Sequence, residues 1–163
     1  MIRKLSLALL LVSVLPLGAA NSPGKCPACS FNEVQQPYDA VRLALTAERL
    51  PAAKKEAAKL RAAAQAEQAW AKTATGRGPE LVKPFANVAA AAAKIERAAT
   101  ITDARKAFGA SSDALRAAMK IAERDDFLVV YCPMVKLHWL QPKGAIRNPY
   151  GSAMPDCGRV VKP

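Results

Sequence analysis

From Val34 onward the apolar residues of this chain keep a helical rhythm. Val34, Tyr38, Val41 and Leu45 recur at steps of four, three and four, the spacing that collects side chains on one face of an α-helix. Pro37 is tolerated in a first turn and not in an interior, so this helix is predicted to begin close to it. Pro51 is expected to end it near Leu50 and to open a second helix over about 52–72. That second face is mostly alanine, with Leu60 and Trp70 its bulky members. Its helix propensity is high and its burial per residue small, so it must pack closely against a partner. The breaker-rich stretch TATGRGP at 73–79 then predicts a connection. Past it, Leu81, Phe85, Val88, Ala92, Ile95 and Ala99 form a stripe spaced four, three, four, three, four, which predicts a third helix facing its neighbours. Thr102 reads as the N-cap of a fourth helix with Asp103 in its first turn, carrying Phe108, Leu115, Met119 and Ala122 inward and ending before Asp125-Asp126.

Beyond Asp126 the pattern changes. FLVVYC at 127–132 is a short β-prone run, and GRVV at 158–161 offers a second. Gly144, Pro149, Gly151 and Pro155 punctuate the segment between them. The fold expected is all-α: an antiparallel four-helix bundle over 34–126, topped by a small irregular cap over 127–163 that contains a short β-hairpin. The cap and the bundle are expected to form one domain.

The N-terminus sets the compartment. Met1-Ile2-Arg3-Lys4 precedes an apolar run from Leu5 to Leu17, and Gly18-Ala19-Ala20 supplies small residues at a cut. A basic start, a short apolar run and small residues describe a secretory signal peptide over 1–20, too short to span a bilayer well. An irregular leader over 21–33 should follow, in a protein that works in the periplasm. No later stretch is apolar enough for a transmembrane segment.

Lys and Arg number 24 against 13 Asp and Glu, a net charge of +11, of which Arg3 and Lys4 contribute two, leaving +9 for the processed chain. Behind a signal peptide such a charge points to an anionic envelope surface or an acidic protein face, and away from nucleic acid. Much of it is expected on the solvated faces of helices.

Candidate chemistry concentrates in the cap. YCPMVKLHWLQP at 131–142 places Cys132, Met134, the sole histidine His138 and Trp139 within eight positions, and Met154 and Cys157 arrive from the other arm. Antiparallel pairing of 127–132 with 158–161 would bring Cys132 and Cys157 together. Two chemistries then compete for the same sulfurs. One is a disulfide closing a loop of about 25 residues, which contributes about 3–4 kcal/mol on the chain-entropy model. The other is a soft-metal site: thiolate and thioether ligands favour Cu(I), and imidazole accepts it. Its ligands would come from Met134, Met154, Cys132, Cys157 and His138, with Trp139 shielding the ion. Cys26 and Cys29 form a C-x-x-C followed by Ser30, which fails the c-type haem pattern. A disulfide in the leader or a second soft-metal pair are its two readings.

One histidine with no carboxylate or serine partner leaves no triad, and no glycine-rich phosphate loop is present, so neither an enzyme nor an organic cofactor is expected.

The strings YCPM, HWLQ, IRNPYGSAM and CG resemble the C-terminal end of an uncharacterised family of exported bacterial proteins, a domain of unknown function. That family is also found appended to the periplasmic adaptor subunits of copper/silver efflux pumps of the resistance-nodulation-division class. The matched positions are Cys132, Pro133, Met134, Trp139, Leu140, Asn148, Pro149, Tyr150, Met154, Cys157 and Gly158. His138 lies outside the pattern. Upstream, YDAVRLALTAERLPAAKKEAAKL and DARKAFGASSDALRAA are similar to the family's helices. The resemblance implies an association with heavy-metal efflux and its periplasmic components, with copper as the leading ion. It also implies that Trp139, Asn148, Pro149 and Tyr150 shape the site.

Overall fold

In a computed structural model, which describes residues 28–162 and side chains from Phe31 onward, four helices carry the chain as far as Ile121. They are α1 (Ala28–Thr46), α2 (Leu50–Thr73), α3 (Val82–Arg97) and α4 (Ile101–Ile121), with a short 3-10 turn at Gly78–Leu81 ahead of α3. The cut after Ala20 and Cys26 lie outside the described residues, and of Cys29 only the helical backbone is described. Among the described residues no helix is long and apolar enough to cross a membrane.

Helix α1 departs from expectation. It begins at Ala28 and runs through Pro37, where a start near Pro37 and an irregular leader to residue 33 had been expected. A mid-helix proline forfeits one hydrogen bond and crowds the preceding turn. Burial offsets that cost: Phe31, Val34, Tyr38, Val41 and Leu45 are all sequestered. Phe31 also packs on the Phe85 ring at 5.6 Å and lies under the Arg124 guanidinium.

The helices pack in chain order, α1 on α2, α2 on α3 and α3 on α4. On α2 the buried stripe is Ala53, Ala57, Leu60, Ala64 and Ala71, with Glu67 among them. Trp70 is only partly buried against the core. Leu81, Phe85, Val88, Ala92 and Ile95 are buried along α3. Ala99, expected in that stripe, is exposed because α3 ends at Arg97 and Ala98 turns inward instead.

The N-cap of α4 is Thr100, two residues before the expected Thr102. Its extended backbone (φ −124°, ψ 161°) and its Oγ1, which accepts the Asp103 N–H at 3.1 Å, define the cap. The Thr100 hydroxyl returns a hydrogen bond to Asp103 Oδ2 at 2.7 Å. Thr100→Ala is expected to lower stability by about 1 kcal/mol, whereas Thr102→Ala should leave the urea midpoint nearly unchanged; denaturant unfolding of both variants checks it.

The cap is more ordered than expected. Strands β1 (Phe127–Cys132), β2 (Leu137–Pro142) and β3 (Arg159–Val161) form an antiparallel sheet in the order β2-β1-β3. The β1–β3 pairing matches the reading of the two β-prone runs, with Tyr131 opposite Arg159. Strand β2 was not anticipated. It forms a hairpin with β1 through a turn closed by Lys136 at φ 57°, and pairs Cys132 with Leu137 and Tyr131 with His138. Its sequence, LHWLQP, lacks a clean alternation because Gln141 is itself buried. Helix α4 admits β2 closely at Gly109, where a Cβ would sit 3.3 Å from Leu137 Cδ1.

Candidate functional site

Successive side chains of a strand point to opposite faces, so the register of the hairpin decides which cap residues meet. Cys132, Val130 and Trp139 share one face of the sheet; Tyr131 and His138 share the other. The first face is covered by the chain returning through 148–158. Gly158 lies directly on it: a Cβ there would come within 2.5 Å of Trp139 Cη2 and 2.7 Å of Val130 Cγ1. Only glycine permits that approach, and it places the neighbouring Cys157 against the end of β1.

The result is a pair of sulfurs. Cys132 Sγ and Cys157 Sγ lie 3.2 Å apart, in contact and unbonded, with Cys132 fully buried and Cys157 half-buried. Backbone N–H groups of Val135 and Met134 point at Cys132 Sγ. The Asn148 side-chain amide approaches the same sulfur at 3.6 Å, and the Met134 N–H also serves Cys157. Burial pushes the Cys132 thiol up, but the Val135 N–H, the Cys157 thiol, the Met134 N–H and Asn148 together hold it below the usual range. Cys157 is raised, chiefly because its S–H is donated to Cys132 and secondarily by burial. These contacts make Cys132 the more readily ionised of the two thiols.

A methionine lies close in sequence to each cysteine. Met134 follows Cys132 by two residues in the hairpin turn and is 70% exposed. Met154 belongs to the tight turns that lead into Cys157, where its carbonyl accepts the Cys157 N–H at 3.2 Å and its ε-methyl packs over Gly151. His138 is placed elsewhere. Its ring tilts against Tyr131 at 4.9 Å, the Arg159 guanidinium lies over the ring of that tyrosine, and Nδ1 sits 3.7 Å from Asp113 Oδ1 of α4.

Burial, reinforced by Arg116, lowers the pKa of His138 below its ordinary 6.5 and outweighs the pull of Asp113. A depressed imidazole binds its proton better in the unfolded chain. Stability from this residue is therefore complete above pH 6.5 and declines as pH falls through the folded-state value. As the sole histidine, its NMR titration is unambiguous; the midpoint is expected below 6.5, and His138→Gln should remove the associated loss of stability on acidification.

Beneath the sulfurs, Trp139, Asn148, Pro149 and Tyr150 form one buried knot. Asn148 Oδ1 accepts the Tyr150 N–H at 2.8 Å, and its own N–H is donated to the Pro155 carbonyl at 2.8 Å, which bends the return segment over the sheet. The Tyr150 hydroxyl donates to the His138 carbonyl, and its ring meets Trp139 edge-on at 5.9 Å. Trp139 Nε1 donates to Gln141 Oε1 at 3.0 Å, and Gln141 in turn holds the Ala145 carbonyl and the Arg147 N–H.

Two arginines fasten this knot to the helices. Arg42 of α1 donates to the Arg147 carbonyl at 3.2 Å, and Arg105 of α4 to the Pro149 carbonyl at 2.9 Å. Sequence reading passed over both, along with Gln141. A signal existed: Arg42 follows Tyr38 by four, and Arg105 precedes Phe108 by three. Each therefore sits on the same helical face as a core aromatic.

Comparison with family models, curated proteins and solved structures gives no match. The site stands on its own geometry. Among the described residues no group of three or more His, Cys, Asp or Glu is gathered to hold an ion. The side chains brought together are two thiols, and Met134 and Met154 lie on the chain segments that adjoin them.

Proposed function

We propose that this chain is a soft-metal-binding module that holds Cu(I) or Ag(I) in its C-terminal cap, works in the periplasm after signal-peptide removal, and serves heavy-metal efflux machinery without being an enzyme. One observation carries the reading. Cys132 and Cys157, 25 positions apart, bring their sulfurs to 3.2 Å, with a methionine on the turn adjoining each. Paired thiolates suit a soft monovalent ion, and thioethers add to them. The donor set fits: Cys132 and Cys157 would be the principal ligands, with Met134 and Met154 supplementary. His138, on the opposite face of the sheet, is left out. When bound, the ion supplies no reaction; the chain's part is to hold the two sulfurs side by side, with Cys132 the more readily ionised, and to limit solvent access from below.

The four sequential helices, read as an antiparallel bundle, would serve as the rigid platform. The exposed positive charge of the cap, from Lys136, Lys143, Arg147, Arg159 and Lys162 against Asp156, suits an acidic partner face or an anionic envelope surface.

Anaerobic titration of the reduced chain with Cu(I), against a chromophoric chelator and with Cys26 and Cys29 replaced by serine, tests the proposal. One Cu(I) per chain is expected. Met134→Leu with Met154→Leu should weaken binding about tenfold, and Cys132→Ser with Cys157→Ser by about a hundredfold or more. Unchanged affinity in both double variants would rule the site out.

A second reading is supported by the same sulfur contact and by the Arg42 and Arg105 clamps: a helical interaction module whose cap is stapled by a Cys132–Cys157 disulfide. Intact mass with and without reductant, followed by metal analysis, separates it from the first. A permanent bond with no Cu(I) uptake after reduction favours the staple.

A further inference from the structure

We infer that Cys132 and Cys157 form a thiol–disulfide exchange pair of fixed polarity, in which a dithiol reductant attacks at Cys157 and Cys132 is the sulfur that leaves. The two positions differ in the ways exchange depends on. Attack needs an approachable sulfur, and departure needs a sulfur whose developing negative charge is stabilised. Cys157 is half-buried on the return loop, while Cys132 is fully enclosed by β1 and the chain above it. Donors favour Cys132: the Asn148 amide approaches it at 3.6 Å, and of the turn's N–H groups that of Val135 serves Cys132 while that of Met134 is shared with Cys157. Hydrogen bonds to an ionised acceptor are among the stronger ones, so the electron pair released on cleavage is best received there. Forming the bond brings the sulfurs from 3.2 Å to a separation of about 2.05 Å.

The chemistry balances with the reductant supplied as an exported dithiol. Its thiolate forms a bond to Cys157 Sγ as the Cys157–Cys132 bond breaks, and the electron pair passes to Cys132 as thiolate. The dithiol's second sulfur, after losing its proton, then attacks the first. This closes the reductant's own disulfide and releases Cys157, which takes up a proton. Two electrons have moved from dithiol to the pair; one of the two protons ends on Cys157 and the other in solvent. Oxidation runs the same steps in reverse.

This exchange does not require a bound metal, and it reaches beyond the soft-metal reading by stating how the reduced pair would be regenerated. Oxidised, chelator-treated full-length protein is mixed with glutathione, quenched with acid within seconds and mapped by peptide mass spectrometry. Glutathione is expected on Cys157 in about tenfold excess or more over Cys132. Equal labelling, excess on Cys132, no adduct on either, or oxidised protein lacking the Cys132–Cys157 bond would each overturn the inference. Failure of Cu(I) binding in the separate titration would remove the metal reading and leave this result untouched.

Discussion

Trp139→Ala is expected to destabilise the protein by about 3–5 kcal/mol, the range for truncating a large buried aromatic side chain. Trp139 has no exposed surface, and it is the largest fully buried side chain among the described residues. Its ring lies under Gly158 and against Tyr150, so the cavity left by its removal would open between the sheet and the return segment. Because Gly158 adjoins Cys157, collapse into that cavity would also disturb the sulfur pair. Chemical denaturation should show the stability loss, and the variant should expose Cys132 to a thiol-specific reagent that leaves it unlabelled in the parent. Trp70, partly buried on α2, is the control: Trp70→Ala should cost distinctly less and leave Cys132 protected.

Tyr38→Phe should remove about 1–3 kcal/mol although it deletes a single oxygen. The Ser112 hydroxyl donates to the Phe108 carbonyl at 2.9 Å, so the Tyr38 hydroxyl donates to Ser112 Oγ at 2.6 Å and accepts the Leu140 N–H at 3.1 Å. A chain of three hydrogen bonds thereby runs from β2 through α1 to α4 in a buried setting. Burial, foremost, keeps the phenol protonated well above its ordinary range, so the chain persists across the physiological pH range. Removing its middle link leaves the Leu140 N–H without its acceptor. The urea midpoint should fall with an unchanged slope; a variant as stable as the parent would mean that water replaces the lost oxygen.

The second effect joins the cap to the helices, and that junction was the part least legible in the sequence. The stripes on α1, α3 and α4 could be read because helical periodicity is a local property, repeated over several turns. The pairing of the runs at 127–132 and 158–161 was readable for a similar reason: each is β-prone over its whole length. Strand β2 was not, because its inward positions include Gln141, which looks like a surface residue until Trp139 Nε1, the Ala145 carbonyl and the Arg147 N–H surround it. Pro37 misled in the opposite direction. Its local cost is real, but the burial of Phe31 one and a half turns earlier keeps the helix intact.

The candidate site divides in the same way. Local spacing placed Cys132 and Met134 on one short segment and Met154 and Cys157 on another, and the identity of those atoms already pointed to soft-ligand or disulfide chemistry. It could not say that His138 leaves the group. That follows from hairpin register, since pairing Cys132 with Leu137 turns His138 toward Tyr131 and Asp113. Nor could spacing distinguish the two thiols, because their difference arises from burial, from the N–H groups of a turn and from Asn148, contacts that exist only once the return segment lies across the sheet. Residue type and periodicity, being properties of the chain itself, determined the helices and the available chemistry; register and enclosure, being properties of distant segments brought together, decided which side chains share a site.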